Sequence, residues 1–453
     1  MSKSTGSTVT ATPTKYRWVV LAIIFIGYVI CMADRSNVGA VLPYLSDEFQ
    51  ISHTAQGAIS SFFFLGYAIS QIPAGLAMER FGTRHIVSVA VLLFSLVTFV
   101  MGFTTTAVML IILRLLLGLA EGPTPVGMTS TINAWFPAHE KGIATGFYIA
   151  STQLAPIIVP TIAVLIAEAQ GWQWVFHWFA IPGIIIALVF FFFVHSKPEE
   201  SPHANEAEVA YIRSSKDGAG QAKTEFGDMG WLDCVIRVRR VGLLDTDKKV
   251  LRSWNVWGVT IGYFFMNNVL YGMITWIPSY LKDARGYEVL DMGLMSSTPF
   301  IGGLIGAILG GWVSDRFFRS RRKPTMMITA LMTAIMMGIV LVTPQSTTLL
   351  AIALFRTSFF LNIGWSTFTS YGMNISTTAT YPFTISIINS GGNLGGFFAP
   401  IIVGALLDAT GNYTVAFSYF IVVLIIGFAL MFTIIEPRPL DEDALSSSST
   451  TAA

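Results

Sequence analysis

Five charged residues sit deep in otherwise apolar stretches of this chain: Asp34, Arg35, Arg114, Glu121 and Arg356. Four of the five belong to the first half. Arg114, Gly118 and Glu121 form the pattern R-x3-G-x2-E. Seven residues advance a helix by about 700°, within ~20° of two full turns, so Arg114 and Glu121 share one face about 10.5 Å apart along the axis. Asp34 and Arg35 are neighbours in sequence and point about 100° apart, which makes them poor partners for each other. Each therefore needs a partner elsewhere. The economical arrangement is a central polar cavity where the two helices meet, holding two carboxylates and two guanidiniums in a small, poorly solvated volume. The chemistry then divides by residue type. Low dielectric favours the neutral form of a carboxylic acid, so Asp34 and Glu121 can bind and release a proton near neutral pH, whereas arginine stays charged. Arg35 can clamp a carboxylate through its planar fork, and loss of the Glu121 proton frees that residue to pair with Arg114.

The elements that must hold these groups are read from composition. Of 453 residues, 53% are hydrophobic and 12% charged, with a mean hydropathy of +0.64, whereas soluble domains carry about 25% charged residues. The net charge of +1 says little about partners. Runs long enough to cross roughly 30 Å of hydrocarbon as helices recur at 18–42, 56–78, 85–103, 106–130, 142–166, 174–194, 255–281, 292–314, 325–343, 348–373, 381–407 and 414–435. The first is not a cleavable signal, because no A-x-A-like site follows it. The chain thus reads as an all-α membrane protein with twelve spanning helices. Its predicted organisation is a tail at 1–17, a six-helix bundle at 18–194, a linker at 195–254, a second bundle at 255–435 and a tail at 436–453. In such a setting a buried ion pair can simply lock helices together, but ionisable residues within a membrane default to functional roles. Arg356 has no assigned partner.

Of the 27 Lys and Arg, Arg35, Arg114 and Arg356 lie inside runs, and Lys282 and Arg285 lie between the seventh and eighth. All the others fall on the side shared by both termini and the even-to-odd connections, which makes both termini cytoplasmic. The chain also repeats itself. GLAMERFGTR at 75–84 and GWVSDR at 311–316 follow runs two and eight, and APIIV occurs at 155–159 and again at 399–403. Each pair is separated by six runs, an even number, so the halves are parallel repeats. The linker holds most of the soluble charge and reads as a cytoplasmic segment with short amphipathic helices, and the SSSSTTAA tail reads as disordered. NLGG and GGLIGAILGG lack the preceding strand and the GK[ST] of a nucleotide loop. Six scattered His offer no H-E-x-x-H, no metal site or other cofactor is expected, and no nucleophile and base set points to an enzyme. Cys31 and Cys234 cannot share a disulfide framework.

GLAMERFGTR resembles the signature of the major facilitator superfamily between helices two and three, with Glu79 where Asp is usual. Within that superfamily the chain resembles the anion:cation symporters, the group that includes bacterial sugar-acid transporters, allantoate-type permeases, and animal sialin and vesicular glutamate carriers. The matching residues are Asp34-Arg35, SQIPAG at 70–75, RLLLGLAEGPTP and NAWFPAHEKG across 114–142, TWIPSYL at 275–281 and NSGGNLGG at 389–396. The resemblance implies the major facilitator fold and proton-coupled uptake of a small organic anion, most simply a sugar acid, with sodium coupling left open. It implies that Asp34 and Glu121 bind the proton, Arg35 holds the substrate carboxylate and Arg114 couples protonation to movement. Tyr67, Gln153, Asn267, Tyr271 and Asn389 become candidate cavity residues, although helix-packing hydrogen bonds explain them equally well. Gly75, Glu79, Arg80, Arg84, Asp315 and Arg316 become the conformational motif. The chain departs from the sugar-acid members in GWSTFTSYGMNISTTATYP and in Met32, which stands where they have Tyr. The expected setting is a bacterial inner membrane and a lipid-embedded monomer with no nucleic-acid partner; the competing function is a proton-coupled exporter of a metabolite or drug.

The orientation is testable by side-specific labelling. A cysteine introduced at Ser320 is expected to react only from the cytoplasm, and one at Ala284 only from outside. Labelling in the opposite sense would reverse the assignment of inner and outer faces.

Overall fold

The computed structural model describes residues 12–137, 140–214, 229–319, 321–377 and 380–438. Ser320, the tail beyond 438 and the side chain of Glu79 lie outside that description. Twelve long helical segments correspond to the twelve apolar runs: α1 (Tyr16–Phe49), α2 (His53–Phe81), α3 (Thr83–Met101), α4 (Ala107–Trp135), α5 (Lys141–Gln170), α6 (Trp172–Phe193), α7 (Trp254–Ser279), α8 (Val289–Trp312), α9 (Lys323–Val342), α10 (Thr347–Ile375), α11 (Tyr381–Thr410) and α12 (Tyr413–Met431). Among the described residues, ten are long and apolar enough to cross a bilayer. The other two, α2 and α7, have 29 and 26 residues and are more polar. Their polar side chains are turned inward: Gln56, Ser60 and Ser61 on α2, and Thr260, Asn267 and Asn268 on α7, are all buried. Helices that line the interior of a membrane bundle carry polar groups for this reason.

The packing repeats with a shift of six helices. In the first bundle α1 packs on α5, α2 on α4 and α3 on α6; in the second α7 packs on α11, α8 on α10 and α9 on α12. The same chain pattern, parallel in direction, therefore builds the same bundle twice. The bundles meet through α2 against α11, α5 against α8, and α1 against α7. The fourth helix of each bundle is broken at matching places. In α4 the helix stops at Glu121 and restarts at Pro123, and in α10 it stops at Ile363 and restarts at Trp365. Pro123 and Pro125 offer no N–H to the preceding turn, which accounts for the first break.

The end of the bundles opposite Tyr16 is drawn tightly together. Asp408, in the last turn of α11, caps the start of α2 across the boundary. Its Oδ1 accepts from the His53 N–H at 2.8 Å and lies 2.9 Å from His53 Nδ1; its Oδ2 accepts from the Thr54 N–H at 2.9 Å and from Thr54 Oγ1 at 2.5 Å. A carboxylate is favourable at a helix N-terminus because it meets unpaired N–H groups and the positive end of the dipole. Lys282 reaches Asp47 at 2.9 Å beside it. Close approach of the backbones depends on glycine, since a Cβ at Gly57 would run into the Pro400 carbonyl and one at Gly404 into the His53 carbonyl.

The linker divides between the bundles. Helix Glu206–Ser214 docks on the first through Glu208, which accepts from Thr14 Oγ1, from the N–H groups of Tyr16 and Arg17 at 2.9 and 3.1 Å, and from the Arg17 guanidinium at 3.1 Å. Burial opposes the charge on Glu208, yet these bonds prevail and hold its carboxyl below the usual range. Residues 229–252 dock on the second bundle. The bundles are all-helical as expected, and outside them one short ribbon forms: strand Val238–Arg240 pairs in parallel with Glu436–Arg438, so the C-terminal tail begins as ordered structure. The buried Glu436 carboxylate accepts from the N–H groups of Arg322 and Lys323 at 3.0 and 2.7 Å, capping α9, and burial pushes it up to about 7 against those bonds.

The Asp408 cap yields a prediction. Asp408→Ala removes charge-assisted bonds worth roughly 1.5–3 kcal/mol each, so this end is expected to open at least tenfold more often. In a Cys31→Ser, Cys234→Ser background, a cysteine at Ile274, on the cavity wall, should then react correspondingly faster with an impermeant maleimide applied from the side of the Asp408 cap. An unchanged rate would show that the cap does not hold that end shut.

Candidate functional site

A cavity of about 280 Å³ lies between the bundles on the inner side of the closed end, walled by α1, α2, α4 and α5 from one bundle and α7, α8, α10 and α11 from the other. Its wall mixes aromatic rings (Tyr28, Tyr148, Trp365) with amides (Gln71, Gln153, Asn389, Asn393) and hydroxyls (Thr129, Thr152). Among the described lining residues the one charged side chain is Arg35.

Arg35 is anchored from several directions. Its Nε and Nη2 both donate to Glu121 Oε1, at 2.8 and 2.6 Å, and its Nη1 donates to Tyr271 OH at 3.4 Å from the opposite bundle. Its guanidinium carbon lies 4.4 Å from the Tyr67 ring centroid and 5.1 Å from that of Phe63, within cation–π range. Glu121 is fully buried, and its second oxygen, Oε2, has no hydrogen-bond partner among the described residues. A buried carboxylate oxygen without a donor is costly. The position of Glu121 follows from the helix break, because it is the last residue before Gly122 and Pro123 interrupt α4.

The other two charges stand behind this pair rather than in the cavity. Arg114 donates through Nε to the Ile59 carbonyl at 3.2 Å and through Nη1 to the Asp34 carbonyl at 3.1 Å, with Phe63 4.8 Å beneath it. The Asp34 carboxylate accepts from Thr98 Oγ1 at 3.2 Å and from Asn37 Nδ2 at 3.4 Å. The expectation of four charges in one cavity is thus corrected: Arg35 faces it, Glu121 pairs with Arg35 rather than Arg114, and Asp34 turns toward α3. The Phe63 ring lies within cation–π range of both guanidiniums.

Of the remaining candidates, Tyr67, Gln153, Tyr271 and Asn389 line the cavity and Asn267 does not. Gln153 also bridges the bundles, donating through Nε2 to Asn362 Oδ1 at 2.8 Å. Arg356 is exposed and lines no part of the cavity. In the signature, Arg84 donates to the Phe191 carbonyl at 2.6 Å, Arg80 is exposed, and Asp315 pairs with Arg322 at 2.7 Å beside the exposed Arg316. A Cβ at Gly75 would meet nothing within 4 Å. Sequence reasoning missed Phe63, Trp365, Asn362 and Asn393. Phe63 and Asn393 stand four residues from Tyr67 and Asn389, on the same helix faces, and Trp365 follows the break at Gly364; those signals were available. Asn362 gave none apart from its partner.

The profile of the Major Facilitator Superfamily matches residues 24–379 and 286–451. A D-galactonate transporter of Escherichia coli O6:H1 (strain CFT073) is 30% identical over 424 residues, covering 92% of this chain and 95% of that protein. A probable galactarate/D-glucarate transporter of Escherichia coli (strain K12) is 29% identical, covering 92% and 93%, and a hexuronate transporter of Bacillus subtilis (strain 168) is 28% identical, covering 88% and 90%. Among solved structures, a D-xylose-proton symporter superposes with a TM-score of 0.72 at 16% identity, covering 94% of this chain and all of that one. A bacterial homologue of the human lysosomal transporter Spinster, inward-facing and occupied, gives 0.71 at 16%, covering 92% and 96%. These two likenesses concern the fold.

Proposed function

Because the chain belongs to the major facilitator superfamily, a family of transporters and not of enzymes, we propose that it is a proton-coupled symporter that takes up a small organic anion, a sugar acid or related carboxylate, by alternating access. The observation that carries the proposal is the ion pair between Arg35, on the cavity wall, and the buried Glu121 beside it, one of whose oxygens has no partner among the described residues. With Glu121 ionised, Arg35 is occupied by its neighbour. A proton on Glu121 weakens that bond and releases the guanidinium fork for a substrate carboxylate. Loss of the proton lets Glu121 reclaim Arg35 and displace the anion, so proton and substrate travel together. The sugar-acid relatives support the choice of an anion carrier.

Asp34 is the second proton site in this scheme. Arg114, bonded to the carbonyls of Asp34 and Ile59, ties α4 to α1 and α2, so a change at Asp34 or Glu121 is felt by three helices of the same bundle. The moving bodies are residues 18–194 and 255–435, closed at the outer end in this state, with the motif of Gly75, Glu79, Arg80, Arg84, Asp315 and Arg316 at their inner ends. The protein works as a monomer in a bacterial inner membrane with both termini in the cytoplasm.

Permanently neutral mimics test the proton sites. In proteoliposomes under an imposed pH gradient, Asp34→Asn and Glu121→Gln are each expected to abolish uphill accumulation of a sugar acid. Normal proton-driven accumulation by either variant would remove that carboxylate from the mechanism, and accumulation driven equally by a sodium gradient would change the coupling ion.

Substitution by lysine separates the two arginines. Lysine keeps the charge but not the bidentate fork, and one lost charge-assisted bond of about 1.5–3 kcal/mol corresponds to roughly tenfold to a hundredfold in affinity. Arg35→Lys is expected to show that loss in binding across pH. Arg114→Lys is expected to shift the pH profile of transport with little effect on affinity at low pH. Equal affinity losses with unchanged pH profiles would reduce both arginines to one structural cluster.

A further inference from the structure

The relatives include carriers named for acids with one carboxylate and carriers named for acids with two, and the cavity wall bears on that choice. We infer that this cavity selects polyhydroxy monocarboxylates, of the aldonate or uronate type, over aldarates, which carry a second carboxylate on the same carbon skeleton. The inference rests on the organic-anion reading above and deepens it.

Charge is counted first. Arg35 is the single cation among the described lining residues, and no acid lines the wall beside it. Arg114, on the other side of the Phe63 contact, is 1% exposed and committed to two backbone carbonyls. One carboxylate together with a protonated Glu121 therefore balances Arg35, and nothing ionic remains for a second carboxylate. Taking an uncompensated charge out of water is strongly unfavourable.

The rest of the wall suits hydroxyls. Gln71, Asn389, Asn393 and Thr152 each offer donors and acceptors of the kind that a polyol chain uses, and none carries charge. Tyr263 and Trp365 line the cavity from the second bundle and offer aromatic surface for the apolar C–H side of the chain. The volume, about 280 Å³, is at the small end of ligand sites, which run from about 300 Å³ upward, and suits a single sugar-sized molecule.

The test compares matched ligands on the purified full-length protein at pH 7, where sugar-acid carboxyls are ionised. Binding of a six-carbon aldonate, the aldarate of the same configuration and the corresponding neutral alditol is measured by calorimetry, in both the gluco and the galacto series. The aldonate is expected to bind at least tenfold more tightly than its aldarate in the series that binds better, with the alditol weakest. An aldarate binding as tightly as its aldonate, or more tightly, would overturn the inference while leaving the organic-anion reading in place. Failure of every acid to bind would overturn that reading and the inference together. Asn393→Lys, which adds a second cation on α11, provides an independent arm. It is expected to narrow the aldonate-to-aldarate ratio at least fivefold, and a variant that still binds the aldonate with an unchanged ratio would show that charge count does not set the selectivity.

Discussion

Hydrocarbon does not solvate charge, and the interior of this protein is organised around that constraint. Arg35 is held by Glu121, by a tyrosine from the opposite bundle and by two aromatic faces, so its charge is compensated wherever the cavity itself supplies nothing. Glu121 reaches it because two prolines end the helical segment at that residue. Arg114 satisfies its donors on carbonyls, which binds three helices into a firm wall behind the pair. Taken together, these residues form a support in which Arg35 has one carboxylate partner, Glu121, and Arg114 is tied to backbone.

The same economy appears at the end opposite Tyr16. There the bundles are joined by a carboxylate serving the N-terminus of α2 and by backbones brought together at glycine. Such contacts are directional and few, so the closure is sharp yet can be undone without unpacking a hydrophobic core.

The order of the helices and the parallel repeat were readable because hydrocarbon imposes one rule on every residue that crosses it. Arg35, Tyr67, Gln153, Tyr271 and Asn389 could be placed on the cavity wall from residue type and family pattern. The pairing could not. Arg114 and Glu121 share a helix face, but backbone carbonyls of α1 and α2, which have no signature in sequence, satisfy Arg114 and leave Glu121 to Arg35. The ribbon of Val238–Arg240 with Glu436–Arg438 was hidden for a similar reason, since three-residue strands carry no periodicity.

The linker has a further consequence. Its described hydrogen bonds from 195 to 214 go to the N-terminal tail or the first bundle or stay within that stretch, and those from 229 to 252 go to the second bundle or the C-terminal tail or stay within theirs. Each bundle thus carries its own collar, and a cut between Ser214 and Met229 severs none of these bonds. Among the described residues, the two bundles are then joined side to side by the contacts of α2 with α11, α5 with α8 and α1 with α7 rather than by the linker that connects them in sequence.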